Sequence, residues 1–175
     1  MATIITPEGV RCLGRYVPYR LPDGSKNPEF DEYSGYILDV KDGLQRGFDY
    51  FRPRVSPYIR RGAIIVTAPS SDSTKSYTGL RRFAMAVAPQ VQAIDGTGTL
   101  VRHTTILKAA HGGPRNVQAH LDSIGVLDGL RLRGAHILLL DDVMTSGSTL
   151  LACRQILQRE GPQQIDMVAL ARTVR

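Results

Sequence analysis

Ile137-Leu138-Leu139-Leu140-Asp141-Asp142-Val143-Met144-Thr145-Ser146-Gly147-Ser148-Thr149 is the stretch whose reading decides the fold. An aliphatic run meets two adjacent carboxylates and passes at once into a small, hydroxyl-rich turn. A strand buried on both faces has no polar side to show, so it reads as a continuous apolar run, and Ile137 to Leu140 fits the centre of a parallel sheet. Beyond the turn, Leu150, Cys153, Ile156 and Leu157 recur at helical spacing, and Glu160-Gly161-Pro162 supplies stop signals. The whole reads as strand, acidic tip, loop and helix start, with Ser148 or Thr149 as the expected cap. The unpaired N–H groups of a helix's first turn attract anions, so the turn is phosphate-binding in character.

Outward from this stretch the pattern repeats. Ala63-Ile64-Ile65-Val66-Thr67-Ala68 is a second buried-strand candidate, followed by the polar loop Pro69-Ser70-Ser71-Asp72-Ser73-Thr74-Lys75-Ser76. Leu80, Phe83, Ala84, Val87, Ala88 and Val91 then mark one apolar helix face, with Pro89 near its end. Leu100 to Ala109 offers a third strand, Val117, Leu121 and Ile124 a short amphipathic helix, and Ile165 to Ala171 a last strand. This alternation predicts an α/β fold, a Rossmann-like parallel sheet with helices on both faces. Ligands in such sheets lie beyond the carboxyl ends of the strands. The loops after Ala68 and after the Ile137–Leu140 run are therefore expected to face one ligand.

The first sixty residues read differently. Val10 to Arg20 and Tyr33 to Val40 contain β-formers, separated by the turn chemistry of Leu21-Pro22-Asp23-Gly24-Ser25. A small, irregular β-rich lobe is expected over residues 1–60, with the α/β core over 61–175 and Pro53 and Pro57 near the passage between them. Tyr16, Tyr19, Tyr33, Tyr36, Phe48, Tyr50 and Phe51 gather most of the chain's aromatics here, as a small core or as a cap over a planar ligand.

The quoted stretch resembles the signature of type I phosphoribosyltransferases, which bind 5-phosphoribosyl-1-pyrophosphate (PRPP). The resemblance extends over Ala63 to Arg175, and Gly134 to Leu150 with Val168-Ala169-Leu170-Ala171-Arg172 looks most like the ComF-type domains, without that type's N-terminal zinc-binding cysteines. It implies that Asp141 and Asp142 hold the ribose hydroxyls and act in catalysis, and that Val143, Met144, Thr145, Ser146, Gly147, Ser148 and Thr149 wrap the 5′-phosphate. It implies further that Ala68, Pro69, Ser70 and Ser71 bind pyrophosphate, often through a strained peptide, with Lys75, Arg81 or Arg82 nearby. A mobile basic loop carrying Lys108, His111 and Arg115 would close over it. Mg²⁺ is implied as cofactor, held mainly through PRPP and water with Asp141 or Asp142 in reach. In purine-salvage relatives a hood after the last core strand reads the base; here the N-terminal lobe or a partner chain is expected to supply any hood.

Composition bounds the rest. At 175 residues one domain is expected, and no apolar run approaches the ~20 residues of a membrane span. The N-terminus lacks the layout of a secretion signal, so a cytoplasmic setting is expected. Cys12 and Cys153 have no metal-ligand spacing, and Cys153 falls on an apolar helix stripe. The net charge of +6 and pI near 9.6 suit anionic partners, small phosphorylated molecules or, with no motif in support, nucleic acid. Three readings stand at this point: a Mg²⁺-dependent transferase of phosphoribose to a nucleobase or related acceptor, a non-catalytic PRPP- or nucleotide-binding regulator, and a nucleic-acid-associated accessory protein. A homodimer or a partner protein is left open.

Overall fold

The computed structural model describes residues 3–106, 116–127 and 131–173. Its centre is the aliphatic run just quoted. Strand β8 (His136–Met144) is flanked by β4 (Ile64–Thr67) on one side and β9 (Gln164–Thr173) on the other, both parallel to it. A short β5 (Ile94–Asp95) extends the sheet beyond β4. At the other edge β2 (Val10–Cys12) and β3 (Arg15–Tyr16) run parallel to β9, and β1 (Ile4–Ile5) closes the edge antiparallel to β2. The order is β1-β2-β9-β8-β4-β5, with β3 beside β9, which gives the α/β architecture expected from the alternation.

Successive side chains of a strand point to opposite faces, and both faces here are apolar. Ile65, Leu138, Leu140, Val168 and Leu170 share a core with helices α1 (Glu32–Asp42), α2 (Gln45–Val55) and α3 (Gly79–Val87). Ile64, Val66, Ile137, Leu139, Met167 and Ala169 share the other with α5 (Ser148–Arg159). The buried face of α5 includes Leu150, Cys153, Ile156 and Leu157, so Cys153 is a core residue. Burial raises the Cys153 thiol far above its ordinary pKa and that of Cys12 to about 11, which keeps both protonated and unreactive.

Two expectations are corrected. The N-terminal region is not a β-rich lobe beside the sheet. Residues 10–16 run along β9 as part of the main sheet, and Tyr33 to Val40, read as a strand, lies within α1. The physical reason is tertiary. Tyr33, Ile37 and Val40 fall on one helical face and bury against the sheet, while Asp31 caps the helix through the Ser34 N–H and Gly43, at φ 71°, ends it. Packing of that face outweighs the β-preference of tyrosine and isoleucine. Tyr33, Phe48 and Phe51 are thus core aromatics, and Pro53 lies inside α2. The second correction concerns the third strand. Among the described residues of that stretch, 100–106, Leu100–Arg102 (β6) is strand, and it pairs antiparallel with β7 (Ile124–Val126) in a separate two-stranded sheet, with α4 (Val117–Leu121) between them in sequence. Among the described residues no helix is long and apolar enough to cross a membrane.

Candidate active site

β8 carries its hydrogen-bonded pairing with β9 as far as Met144, so the acidic pair sits inside the strand's carboxyl end and not on a loose loop. Alternation sends the two carboxylates to opposite faces. Asp142 faces the α1 side, where Lys41 Nζ lies 3.5 Å from its Oδ2. Asp141 faces the side of α5, close enough to the Cys12 and Cys153 thiols to raise both. Each carboxylate also accepts from the backbone just ahead of it, Asp141 from the Asp142 N–H at 2.8 Å and Asp142 from the Val143 N–H at 2.6 Å.

Their electrostatics differ. Burial, and then the neighbouring Asp142 charge, push the Asp141 carboxyl up to about 8, against the opposing pull of the Asp142 N–H and Lys41. Asp141 thus holds a proton near neutrality when no cation is bound. Lys41 is held above the usual lysine value: its partial burial works the other way, but Asp142, Tyr16 and Asp141 outweigh it. Its ammonium also stands 5.4 Å from the Tyr16 ring centroid. Lys41 was not among the residues expected here, because its stretch read as a strand.

The turn after β8 leads straight into α5. The N-cap of α5 is Gly147, at φ 80°, and not Ser148 or Thr149. Glycine takes this left-handed backbone without the Cβ clash that another residue would meet. Gly147 has no side chain with which to cap the helix, and the Ser148 N–H of the first turn reaches back to the Ser146 hydroxyl at 3.5 Å. Ser148 is buried and its hydroxyl lies 2.5 Å from that of Ser146, while the Thr145 and Thr173 hydroxyls lie 3.2 Å apart. Small hydroxyls, a helix end begun by glycine and a tight turn are groups able to hold an anion.

The second loop starts beside this one. The Ala68 N–H donates to the Leu140 carbonyl at 2.9 Å, which sets residues 68–71 next to the acidic pair. Thr67, Pro69, Ser70, Arg81, Thr97 and Arg102 contribute to the wall of a cavity of about 100 Å³. Arg81 donates to the Thr97 hydroxyl and the Ser76 carbonyl, whereas Arg82 turns away to the Asp42 carbonyl. Lys75 sits in the same loop, 3.8 Å from Asp72. Among the described residues there is no cis peptide, and none of residues 68–71 has a positive φ. Lys108, His111 and Arg115 lie outside the described residues.

Among the described residues no three or more His, Cys, Asp or Glu side chains converge as a metal-binding group. The acidic pair suits a different arrangement, in which a divalent ion takes one or two carboxylates and fills its shell with substrate oxygens and water. Asp141 and Asp142 are the residues that would meet it.

Residues 79–174, more than half of the chain, match the family model for the phosphoribosyl transferase domain. The chain belongs to that family. Similar solved structures include a hypoxanthine phosphoribosyltransferase from Staphylococcus aureus, 9% identical over 76% of this chain and 62% of that one, with TM-score 0.39. A phosphoribosylpyrophosphate synthetase from Mycobacterium smegmatis is 16% identical over 72% of this chain and 31% of that one, at TM-score 0.39. A hypoxanthine phosphoribosyltransferase from Trypanosoma cruzi is 12% identical over 83% of this chain and 71% of that one, at TM-score 0.38. The phosphoribosyltransferase-family chain thus spans about three-fifths of the first of these and under a third of the second. No curated protein matches its sequence.

Proposed function

We propose that this protein is a Mg²⁺-dependent transferase that moves phosphoribose from PRPP to a nucleobase or a related nitrogen acceptor. The observation that carries the reading is the run of β8 into an adjacent acidic pair, then at once into a hydroxyl-rich turn and a helix end whose N-cap is Gly147. In this reading the 5′-phosphate sits in the turn of residues 145–149 and meets the first-turn N–H groups of α5. Asp142 and Asp141 take the ribose hydroxyls, and the loop Ala68-Pro69-Ser70-Ser71, with Arg81 and Lys75, receives the pyrophosphate. Lys108 and Arg115 belong to the same proposal as groups that cover the leaving group.

In such a transfer the acceptor nitrogen forms a bond to the anomeric carbon as the bond to pyrophosphate oxygen breaks. Positive charge develops on the ribose, and the chain's work is positioning and electrostatics. A bound Mg²⁺ would neutralise the leaving pyrophosphate. Asp141, held protonated by burial and by Asp142, donates to a ribose hydroxyl in that state, and is the carboxyl that would accept instead once ionised. Asp142, with Lys41 on one oxygen and the Val143 N–H on the other, is the better fixed of the two. In this reading the α1–β3 region, whose Lys41 and Tyr16 lie beside Asp142, would be the part of the N-terminal segment that borders the acceptor.

The test is pyrophosphate release from PRPP and Mg²⁺ across a panel of purine and pyrimidine bases, with calorimetric PRPP binding alongside. Release with at least one base is expected. Asp142→Asn is expected to weaken PRPP binding by about 1–3 kcal/mol, the scale of a charge-assisted hydrogen bond. Tight PRPP binding with silence across the panel would make the protein a regulatory binder. Wild-type affinity in Asp142→Asn would remove the ribose-binding role. A cytoplasmic setting and self-association are further parts of the proposal, the latter measured by sedimentation.

A further inference from the structure

Two buried polar side chains stand between the candidate anion loops and belong to neither. Arg102 on β6 and His120 on α4 are each only 7% exposed. The Arg102 Nε–H donates to the Ser70 carbonyl, in the 68–71 loop. One of its terminal nitrogens donates to the Ser123 hydroxyl, and the other lies 3.4 Å from His120 Nδ1. His120 Nε2 in turn lies 3.4 Å from the Thr149 hydroxyl, in the first turn of α5. The Ser123 hydroxyl is itself tied to α4, donating to the Ala119 carbonyl at 2.8 Å.

The chemistry of these groups gives the chain of contacts a direction. A guanidinium is donor only, so His120 Nδ1 must accept and the imidazole proton belongs on Nε2. Nε2–H then donates to the Thr149 oxygen, which frees the Thr149 hydroxyl hydrogen for an acceptor in the turn. At the other end, a planar trans peptide points its N–H opposite to its carbonyl. By holding the Ser70 carbonyl, Arg102 fixes the Ser70–Ser71 peptide with the Ser71 N–H directed away from it. Burial depresses both groups, and the Arg102 charge further disfavours a second cation on His120, in keeping with a neutral imidazole. The Arg102 partners named above are a carbonyl, a hydroxyl and an imidazole, all neutral. A buried charge so placed costs stability unless something nearby uses it. The cavity that Arg102 helps to wall is also lined by Ser70 and Arg81, a setting suited to an anion.

We propose that Arg102 and His120 are positioning residues that couple the 68–71 loop to the 145–149 turn, so that an anion bound at either one pre-organises the other. The proposal rests on reading the two loops as pyrophosphate and 5′-phosphate sites. One chain of hydrogen bonds sets a peptide plane at one loop and a hydroxyl rotor at the other. Ordering either end removes part of the entropy that the second ligand would otherwise have to remove. His120 acts through Thr149, and Arg102 acts through Ser70 while its charge borders the cavity that the anion would enter.

The experiment is calorimetric titration of the full chain, in Mg²⁺, with inorganic pyrophosphate and with ribose 5-phosphate, each alone and each with the other near saturation. Wild type is expected to show mutual tightening of roughly fivefold or more, by the same factor in both directions as linkage requires. His120→Phe, which fills the space and makes neither hydrogen bond, is expected to reduce that factor to under about twofold. His120→Gln, whose amide can accept from Arg102 and donate to Thr149, is expected to restore most of it, a rescue that lost packing alone does not explain. Arg102→Lys keeps the charge but cannot span Ser70, Ser123 and His120 from one nitrogen, and carries the same test should His120→Phe not fold. Coupling undiminished in Arg102→Lys or in folded His120→Phe overturns the proposal. Independent binding of the two ligands to wild type also overturns it, while leaving the reading of the two loops intact. If neither ligand binds, that reading fails and the coupling with it.

Discussion

The two halves of the candidate site are held in place by different physics. The half proposed for ribose and phosphate grows out of β8, which is paired along its length with β9 and, over Ile137 to Leu140, with β4. Its anion donors are main-chain groups at a helix end, fixed because α5 is packed on the sheet. The half proposed for pyrophosphate hangs from the four-residue β4 and is held by two main-chain bonds, Ala68 N–H to the Leu140 carbonyl and Ile106 N–H to the Ser71 carbonyl, and by side-chain contacts. Arg102 takes the Ser70 carbonyl, Arg81 the Ser76 carbonyl, and the Ser73 hydroxyl lies 2.7 Å from that of Thr105 on the surface. One half is rigid by burial, the other ordered by a few polar bonds. Damage to the first should cost the fold, and damage to the second should cost only the loop.

The sharpest way to break that contrast sets a core residue against a loop residue. Leu139 is fully buried on the α5 face of β8. Leu139→Ala is expected to lose about 2–5 kcal/mol in urea unfolding, from lost transfer energy and the cavity left behind. Thr105→Val removes the exposed contact to Ser73 and is expected to cost about 1 kcal/mol or less. Comparable losses in both would show that the pyrophosphate loop is as integral to the fold as the central strand.

A smaller effect, with a distinctive pH signature, comes from Asp141. Its carboxyl is raised in the folded chain, by burial first and the Asp142 charge second, to about 8 from an ordinary 3.8. The folded state therefore binds this proton more tightly than the unfolded state. Stability falls as pH rises from near 4 toward 8, and levels above that. Asp141→Asn keeps an oxygen to accept the Asp142 N–H and has nothing to ionise. It is expected to gain about 1–3 kcal/mol at pH 8, with the gain vanishing toward pH 4, because two coupled acids relax part of the full shift. Urea unfolding at both pH values measures it, and a pH-independent difference would put the strain of the acidic tip elsewhere. The same substitution is expected to remove PRPP binding, so the site's cost to the fold and its use to the ligand reside in one residue.

How much of this was legible beforehand follows from the same contrast. The aliphatic run into Asp141-Asp142 announced a central strand because burial on both faces leaves no alternation to misread. The strand-to-helix turn at 145–149 was legible as a turn, although the cap was placed one or two residues late, since serine and threonine are better side-chain caps than glycine. The N-terminal helices were hidden by tyrosines whose β-preference is overridden by packing on the sheet, although Asp31 and Gly43 were available as helix boundaries. Arg102 carried a readable hint. Leu100 and Arg102 are two apart in a strand and must share a face, so a buried Leu100 implied a buried guanidinium needing partners. Nothing local could have revealed His120 beside Thr149 or Lys41 beside Asp142, because those pairs exist only once the chain has folded.

Lys41 gives the smallest expected effect and the finest distinction between fold and site. Its ammonium is more than one-third exposed, 38% at the side chain, and pairs with an Asp142 that is 27% exposed. Solvent-screened pairs of this kind contribute little, so Lys41→Met is expected to change stability by less than about 1 kcal/mol at pH 7. Because the folded chain holds the Lys41 proton above its ordinary value of 10.5, that contribution is present below pH 10.5 and lost at higher pH. Binding should respond more strongly. In the proposed function PRPP, a polyanion, is brought against two adjacent carboxylates, and Lys41 beside Asp142 would offset their repulsion from the α1 side. Its removal is expected to weaken PRPP binding by roughly threefold to tenfold at low salt, shrinking as ionic strength rises and the Debye length contracts. Calorimetry at two salt concentrations measures this. Affinity unchanged at both would place Lys41 outside the ligand's field and confine the site to the rigid half built on β8.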